Sequence, residues 1–338
     1  MSVDPPSTKP GSPVPVIDIS PYYSGDAEAK HRVAAQIDEA CRTIGFLVIS
    51  GHGVDPALID RLDQLSCAFF DLPLETKLKY ASPYETAYRG YTALERTALA
   101  YTIGEEGTPP DFREIFTVNR HRIDWTNPYF SSEAGRAIFL PNVYPSEIAG
   151  LREALENYYD AMTGLATTLM RLFALALGLD EHWFDDKIDK HMTNLSLSNY
   201  PDQPDELREG QLRAGPHTDY GSITILKTED KPGGLEVQAT DGSWAPVQII
   251  PDAFIINIGD LMAQWTNDRW VSTMHRVANP ARDLAGSSRR QSLIFFHQPN
   301  YDALVECIPS CIGTGAKYPP ITSGEHLARK IGQMNAVD

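Results

Sequence analysis

Three things are scarce in this 338-residue sequence. No run of 18 or more apolar residues occurs, so no segment has the length to cross a bilayer as a helix. Basic residues are few, 29 Lys and Arg against 45 Asp and Glu, and the formal net charge of −16 opposes binding to nucleic acid or to an anionic membrane surface. Cysteine is limited to Cys41, Cys67, Cys307 and Cys311, with no CxxC spacing to suggest a zinc site or a redox pair, and none of the four is given a role. The opening MSVDPPSTKPGSPVP has Pro and Ser where a secretory signal needs an apolar stretch. Residues 1–13 are therefore expected to be a disordered tail, and the protein is expected in the cytoplasm. No internal repeat is present.

What remains is an ordinary globular composition, 42% hydrophobic and 22% charged. VPVIDIS reads as a short strand, and Asp26 to Thr43 as an amphipathic helix closed by Gly45. FLVISGHG is a buried strand, and Asp55 caps a helix that stops at Pro73. Residues 80–125, rich in Tyr, Thr, Gly and Pro, read as loops and as a lid or substrate wall. Ser146 to Gly178 has helical spacing throughout and predicts a long backbone helix. After it come only strand-like runs: NLSLSNYP, HTDYGSITILK, GLEVQAT, WAPVQII, AFIINIG, WVSTMHRVAN and RQSLIFFHQP. Strands without intervening helices predict a β-sandwich or barrel. SGEHLARKIGQM predicts a terminal helix packed outside it.

In GPHTDYGSITIL, His217 and Asp219 stand two apart, so on a strand or its extension both side chains face one point. Alone, such a pair is little better than chance. His275 in WVSTMHRV supplies a third Lewis base, and two histidines with one carboxylate suit Fe(II), Zn(II) or a similar ion with positions left open. RQSLIFF then places Arg290, Ser292, Ile294 and Phe296 on one strand face. A guanidinium inside a barrel is costly unless an anion meets it, and its fork matches a small carboxylate.

The ordered set HTDYGSITIL, GGLEV, INIGDLMAQWTNDRWVSTMHRV and RQSLIFF, preceded by VPVIDIS, GFLVISGHGV and FFDLPLETK, resembles the isopenicillin N synthase-like branch of the Fe(II)/2-oxoglutarate-dependent oxygenases. The resemblance implies a mainly β fold with flanking α-helices, its core a double-stranded β-helix, or jelly roll. It implies an N-terminal mixed α/β region with the long helix at 14–185, a catalytic core at 186–302 and a C-terminal loop and helix at 303–338. By the same resemblance His217, Asp219 and His275 hold the iron, while Arg290 with Ser292, and Tyr200 before Pro201, hold 2-oxoglutarate. No protein side chain is assigned as an acid–base catalyst. With O2, such an enzyme releases succinate and CO2 and oxidises a small molecule by hydroxylation, desaturation or ring formation, often in specialised metabolism and as a monomer. The alternative is an iron oxidase of the same family that does not use 2-oxoglutarate.

Where related plant enzymes read Asn-Tyr-Tyr-Pro, this chain has Ser198 at the Asn position, and Asn199 is expected to face outward. Ser196 and Ser198, on the inner face with Tyr200, join Phe296 and Gln298 as candidate substrate contacts. YRGYTALE, PDFREIFTV and GEHL resemble bacterial and fungal members, including the bacterial ethylene-forming enzyme, which adds Arg89, Tyr91 and Phe112 to the candidates.

Overall fold

A computed structural model describes residues 12–335 apart from 25, 85–88, 106, 205–206 and 282–286. The tail expected at 1–13 lies almost wholly outside the described residues, as does Tyr88 of YRGYTALE.

Strands β1 (Val16–Asp18), β2 (Phe46–Ser50), β3 (Gly90–Thr92) and β4 (Glu114–Asn119) come from the N-terminal half. The C-terminal half contributes β5 (Asn194–Tyr200), β6 (Ala214–His217), β7 (Ile223–Thr228) and β8 (Leu235–Gln238). It also contributes β9 (Trp244–Pro246), β10 (Phe254–Ile258), β11 (His275–Val277) and β12 (Arg290–His297), and a two-stranded ribbon of Leu304–Val305 with Ile321–Thr322 follows them. Of β1–β12, eight form one sheet in the order β1-β2-β10-β7-β12-β5-β4-β3, and the other four form a second, β6-β11-β8-β9. This is the jelly-roll core, with helices flanking the larger sheet.

Alternation along the strands explains the layering. On β5, β7 and β12 the residues Leu195, Leu197, Ile223, Ile225, Leu293 and Phe295 belong to the main core cluster, shared with Leu169, Phe173 and their neighbours on the long helix. The intervening residues Ser196, Ser198, Tyr200, Thr224, Thr228, Arg290 and Ser292 then turn to the opposite, barrel-facing side. Both faces are covered, so nearly every residue of β5 and β12 is buried. The polar side chains on the inner face are thus enclosed within the protein.

The N-terminal helices follow their caps. Asp26 accepts from Glu28 N and Ala29 N ahead of the helix Ala27–Thr43, and Asp55 accepts from Ala57 N ahead of Pro56–Phe70. Gly45 adopts φ +66° just past the first of these. The long helix runs Leu151–Ala176, five residues shorter at its start than expected. Gly150 at φ +82° breaks the helical path there, and Gly178 at φ +69° ends it as predicted.

Two expectations are corrected. Residues 80–125 are not all loop, because β3 and β4 extend the large sheet beside β5. In β4, Phe116 and Val118 enter the core while Ile115 and Thr117 face the other way, a period-2 pattern hidden among turn-forming residues. The strand-rich half also contains a helix, Asp260–Trp265, between β10 and β11; its Leu261, Met262 and Trp265 are fully buried.

Candidate metal centre and active site

β6 and β11 pair antiparallel with His217 directly opposite His275, which sets the two imidazoles side by side with ring centroids 4.2 Å apart. Each ring is anchored through Nδ1 to a carbonyl two residues earlier, His217 to Gly215 O at 2.8 Å and His275 to Thr273 O at 3.0 Å. A carbonyl only accepts, so the proton is assigned to Nδ1 and the Nε2 lone pairs are left to the interior. Asp219 Oδ1 lies 3.9 Å from His217 Nε2 and 3.8 Å from His275 Nε2. These separations are too long for hydrogen bonds. All three donor atoms lie within 4.8 Å of one another, the spacing of groups turned on a common point.

The other carboxylate oxygen is held from behind. Oδ2 of Asp219 accepts from Thr224 Oγ1 at 2.5 Å and from Asn257 Nδ2 at 2.7 Å. Burial alone would push this carboxyl up, but the adjacent His275 and His217 and these two hydrogen bonds hold it below the usual range. Burial first, and His275 second, keep His217 below the ordinary imidazole value. A neutral imidazole beside a carboxylate is the protonation state that binds a divalent ion. The supporting turn is close-packed: Asp260 N donates to Asp219 O, and a Cβ on Gly259 would collide with Gly221 O.

Asn257 on β10 is a supporting residue that the alternation of AFIINIG could have revealed, since it is the polar break in an apolar strand. Asn257→Ala is expected to weaken Fe(II) binding by about 10- to 100-fold, the usual loss when a partner behind a ligand is removed. Competition with a chromophoric chelator measures it, and an unchanged affinity would dissociate Asn257 from the centre.

Arg290 is 2% exposed on β12, opposite Tyr200 on β5, with its guanidinium carbon 5.8 Å from that ring's centroid. Nη1 donates to Gly233 O at 2.8 Å, and Nη2 donates to Thr228 Oγ1 and Glu229 O. Its partners among the described residues are thus carbonyls and a hydroxyl, none of them a carboxylate, and Nε has no partner. Burial lowers its pKa from the ordinary value. Glu229 and Asp230 act on it only from a distance, and a buried guanidinium that no carboxylate contacts is costly, so this one suits an anionic ligand. Ser292 Oγ shares a 2.9 Å hydrogen bond with Thr228 Oγ1 beside it.

Two cavities meet at the three-residue cluster. The inner one, about 50 Å³, is bordered by Tyr200, Thr228, Arg290, Ser292 and the His-Asp-His set. The outer one, about 440 Å³, falls in the size range of small-molecule sites. Arg113, His217, Asp219 and Phe296 border both.

Of the candidate substrate contacts, Ser196, Ser198, Phe296 and Gln298 line the outer cavity. Arg89, Tyr91 and Phe112 border neither cavity among the described residues. Arg89 is pinned to Asn194 Oδ1 and Ile138 O; Tyr91 donates to Glu114 Oε2, which also pairs with Lys77, and packs on Phe69. Phe112 joins Leu212 through its backbone. Asn199 does point away from the barrel interior, yet it is buried, donating to Glu114 Oε1. The wall expected from 80–125 is present through Thr92, Thr97, Leu99, Tyr101 and Arg113. The terminal helix Ser323–Asn335 does more than pack outside, since its Leu327 and Ile331 close one side of the outer cavity.

A jelly roll carrying a two-histidine, one-carboxylate cluster beside a buried arginine defines a non-haem iron oxygenase. Residues 14–147 match the family model described as the non-haem dioxygenase in morphine synthesis N-terminal, and residues 190–299 that of the 2OG-Fe(II) oxygenase superfamily. The chain is 35% identical over 315 residues to the 2-oxoglutarate-Fe(II) type oxidoreductase hxnY of Emericella nidulans, covering 91% of this chain and 86% of the relative. It is 33% identical over 327 residues to validamycin A dioxygenase of Streptomyces hygroscopicus subsp. limoneus, covering 95% and 86%. A full-length protein of Neurospora crassa, crystallised in complex with alpha-KG, superposes with a TM-score of 0.83 at 31% identity, covering 96% of this chain and 98% of that one. The chain belongs to the Fe(II)/2-oxoglutarate-dependent oxygenases. It is an oxidoreductase that uses Fe(II), 2-oxoglutarate and O2 to oxidise a small molecule, with release of succinate and CO2; the 2-oxoglutarate-independent alternative is set aside. Among the described residues no helix is long and apolar enough to cross a membrane.

Proposed function

We propose that His217, Asp219 and His275 hold the Fe(II), that Arg290, Ser292 and Tyr200 hold 2-oxoglutarate, and that Ser196, Ser198, Phe296 and Gln298 face the substrate. The observation that carries this reading is the register of His217 against His275 with Asp219 Oδ1 between them, 3.8–3.9 Å from each Nε2. The Arg290 guanidinium, contacted by no carboxylate and set in the cavity that adjoins the cluster, supports the second assignment.

The bound iron supplies the redox chemistry that couples decarboxylation of the keto acid to oxidation of a C–H bond. Everything else falls to the chain. His217 and Asp219 enter the site already deprotonated at the donor atoms, so metal binding displaces no proton from them. Arg290 neutralises one carboxylate of the co-substrate and fixes its direction toward the cluster. Phe296, at the partition between the cavities, narrows the path from bulk water to the centre. The substrate is positioned from the outer side by small polar groups, which orient a C–H bond without reacting. The four cysteines are unpaired, which fits work in the cytoplasm.

Adding 2-oxoglutarate to the anaerobic Fe(II) protein is expected to produce a visible charge-transfer band. Air with a substrate panel should then release succinate, with product mass showing gain of oxygen or loss of two hydrogens. No band and no succinate would overturn the assignment.

A further inference from the structure

The wall of the outer cavity carries a charge pattern that neither iron nor co-substrate binding uses. Arg113, 8% exposed and next to β4, borders both cavities. Its hydrogen bonds are long: Nη2 lies 3.5 Å from Asp111 Oδ2, an ion-pair distance, and Nε lies 3.5 Å from Thr97 Oγ1. Asp111 is committed elsewhere. Its Oδ1 accepts from Gly215 N at 2.9 Å, and its Oδ2 from Thr97 Oγ1 at 3.1 Å and Leu99 N at 3.2 Å. The carboxylate is therefore satisfied by hydroxyl and backbone groups, while the guanidinium is offered to the cavity. Exposed Arg96 stands on the same wall, and the acid beside it, Glu95, is engaged by Arg208 and Gln211. Across the cavity, Ser198 Oγ and Gln298 Oε1 are buried with no partner among the described residues.

Long-range repulsion by a chain of net charge −16 disfavours an anionic substrate unless the site supplies positive groups locally, and Arg113 and Arg96, with the neighbouring Glu95 taken up by Arg208 and Gln211, supply them. We propose that the substrate is a small carboxylic acid, its carboxylate held by Arg113 and a second polar group met by Gln298 and Ser198. The proposal rests on the oxygenase reading above. Because Arg113 also borders the inner cavity, its ligand could have been the carboxylate of 2-oxoglutarate, and the experiment separates the two.

The test is calorimetric titration of the anaerobic Fe(II)·2-oxoglutarate protein with 3-phenylpropanoate, 4-phenylbutanoate and octanoate, and with the primary amide of each. At least one acid is expected to bind about 10- to 100-fold more tightly than its amide, the scale of a charged hydrogen-bonded pair. Arg113→Gln should erase that preference while leaving the affinity for 2-oxoglutarate and its visible band within about twofold. Arg113→Lys, which keeps the charge without the fork, should retain part of it, and it serves as the readout if the Gln variant does not fold. Equal binding of every acid and its amide, or a preference that survives Arg113→Gln, would overturn the proposal. So would a tenfold loss of 2-oxoglutarate affinity in that variant, because the arginine would then serve the co-substrate. Wild-type protein that binds no 2-oxoglutarate would overturn the oxygenase reading itself, and this proposal with it.

Discussion

Asp219→Ala is expected to abolish succinate formation, with the loss exceeding about 10³-fold. Removing a group behind a ligand costs about 10- to 100-fold in metal affinity, and removing the ligand must cost more. Asp219 is also the one carboxylate of the set, so its loss removes the negative charge that offsets a divalent ion. It leaves Thr224 and Asn257 with donors aimed at an empty volume. His217→Ala should behave similarly, because His275 would lose the neighbour with which it shares the site. Metal content after gel filtration and succinate yield across an Fe(II) titration measure both variants. Activity equal to wild type at saturating iron would refute the assignment.

Arg290→Ala should leave iron bound and raise the apparent KM for 2-oxoglutarate by about 10²- to 10⁴-fold. Two charge-assisted hydrogen bonds to a carboxylate, at about 1.5–3 kcal/mol each, set that scale. Arg290→Lys should recover only part of the loss, since an ammonium cannot reproduce the fork. The same variants separate binding from chemistry: turnover at saturating 2-oxoglutarate should fall far less than KM rises. An unchanged KM would mean that Arg290 does something else.

The groups that carry the proposed chemistry were legible because they are rare residue types set at the ends or on one face of recognisable strands. His217, Asp219 and His275 come together because two short strands pair in register, and Arg290 and Ser292 share a face because strand side chains alternate. Residues whose roles depend on distant partners were not legible. Arg89 and Tyr91 look like loop residues by composition, but Asn194, Ile138 and Glu114 bury them at sequence separations of 23 to 105 residues. Arg113 is masked in the same way, because turn-forming neighbours hide the strand beside it. Leu327 and Ile331 reach the cavity only through the docking of the terminal helix, which its own amphipathic pattern does not direct to any particular surface. The barrel itself was readable, since seven strand-like runs in succession leave few other architectures.

β12 assigns different tasks to its two ends. Arg290 and Ser292 lie at one end of its inner face, and Phe296, followed by Gln298 just beyond the strand, at the other. At about 3.4 Å per residue, some 20 Å of chain separates Arg290 from Phe296, with buried Ile294 between them. An engineer seeking a new substrate can therefore randomise 298, together with the wall at 97–101, and leave both the co-substrate end and Phe296 at the partition untouched. Libraries built this way should keep 2-oxoglutarate consumption as a constant background, so altered selectivity can be screened apart from lost function.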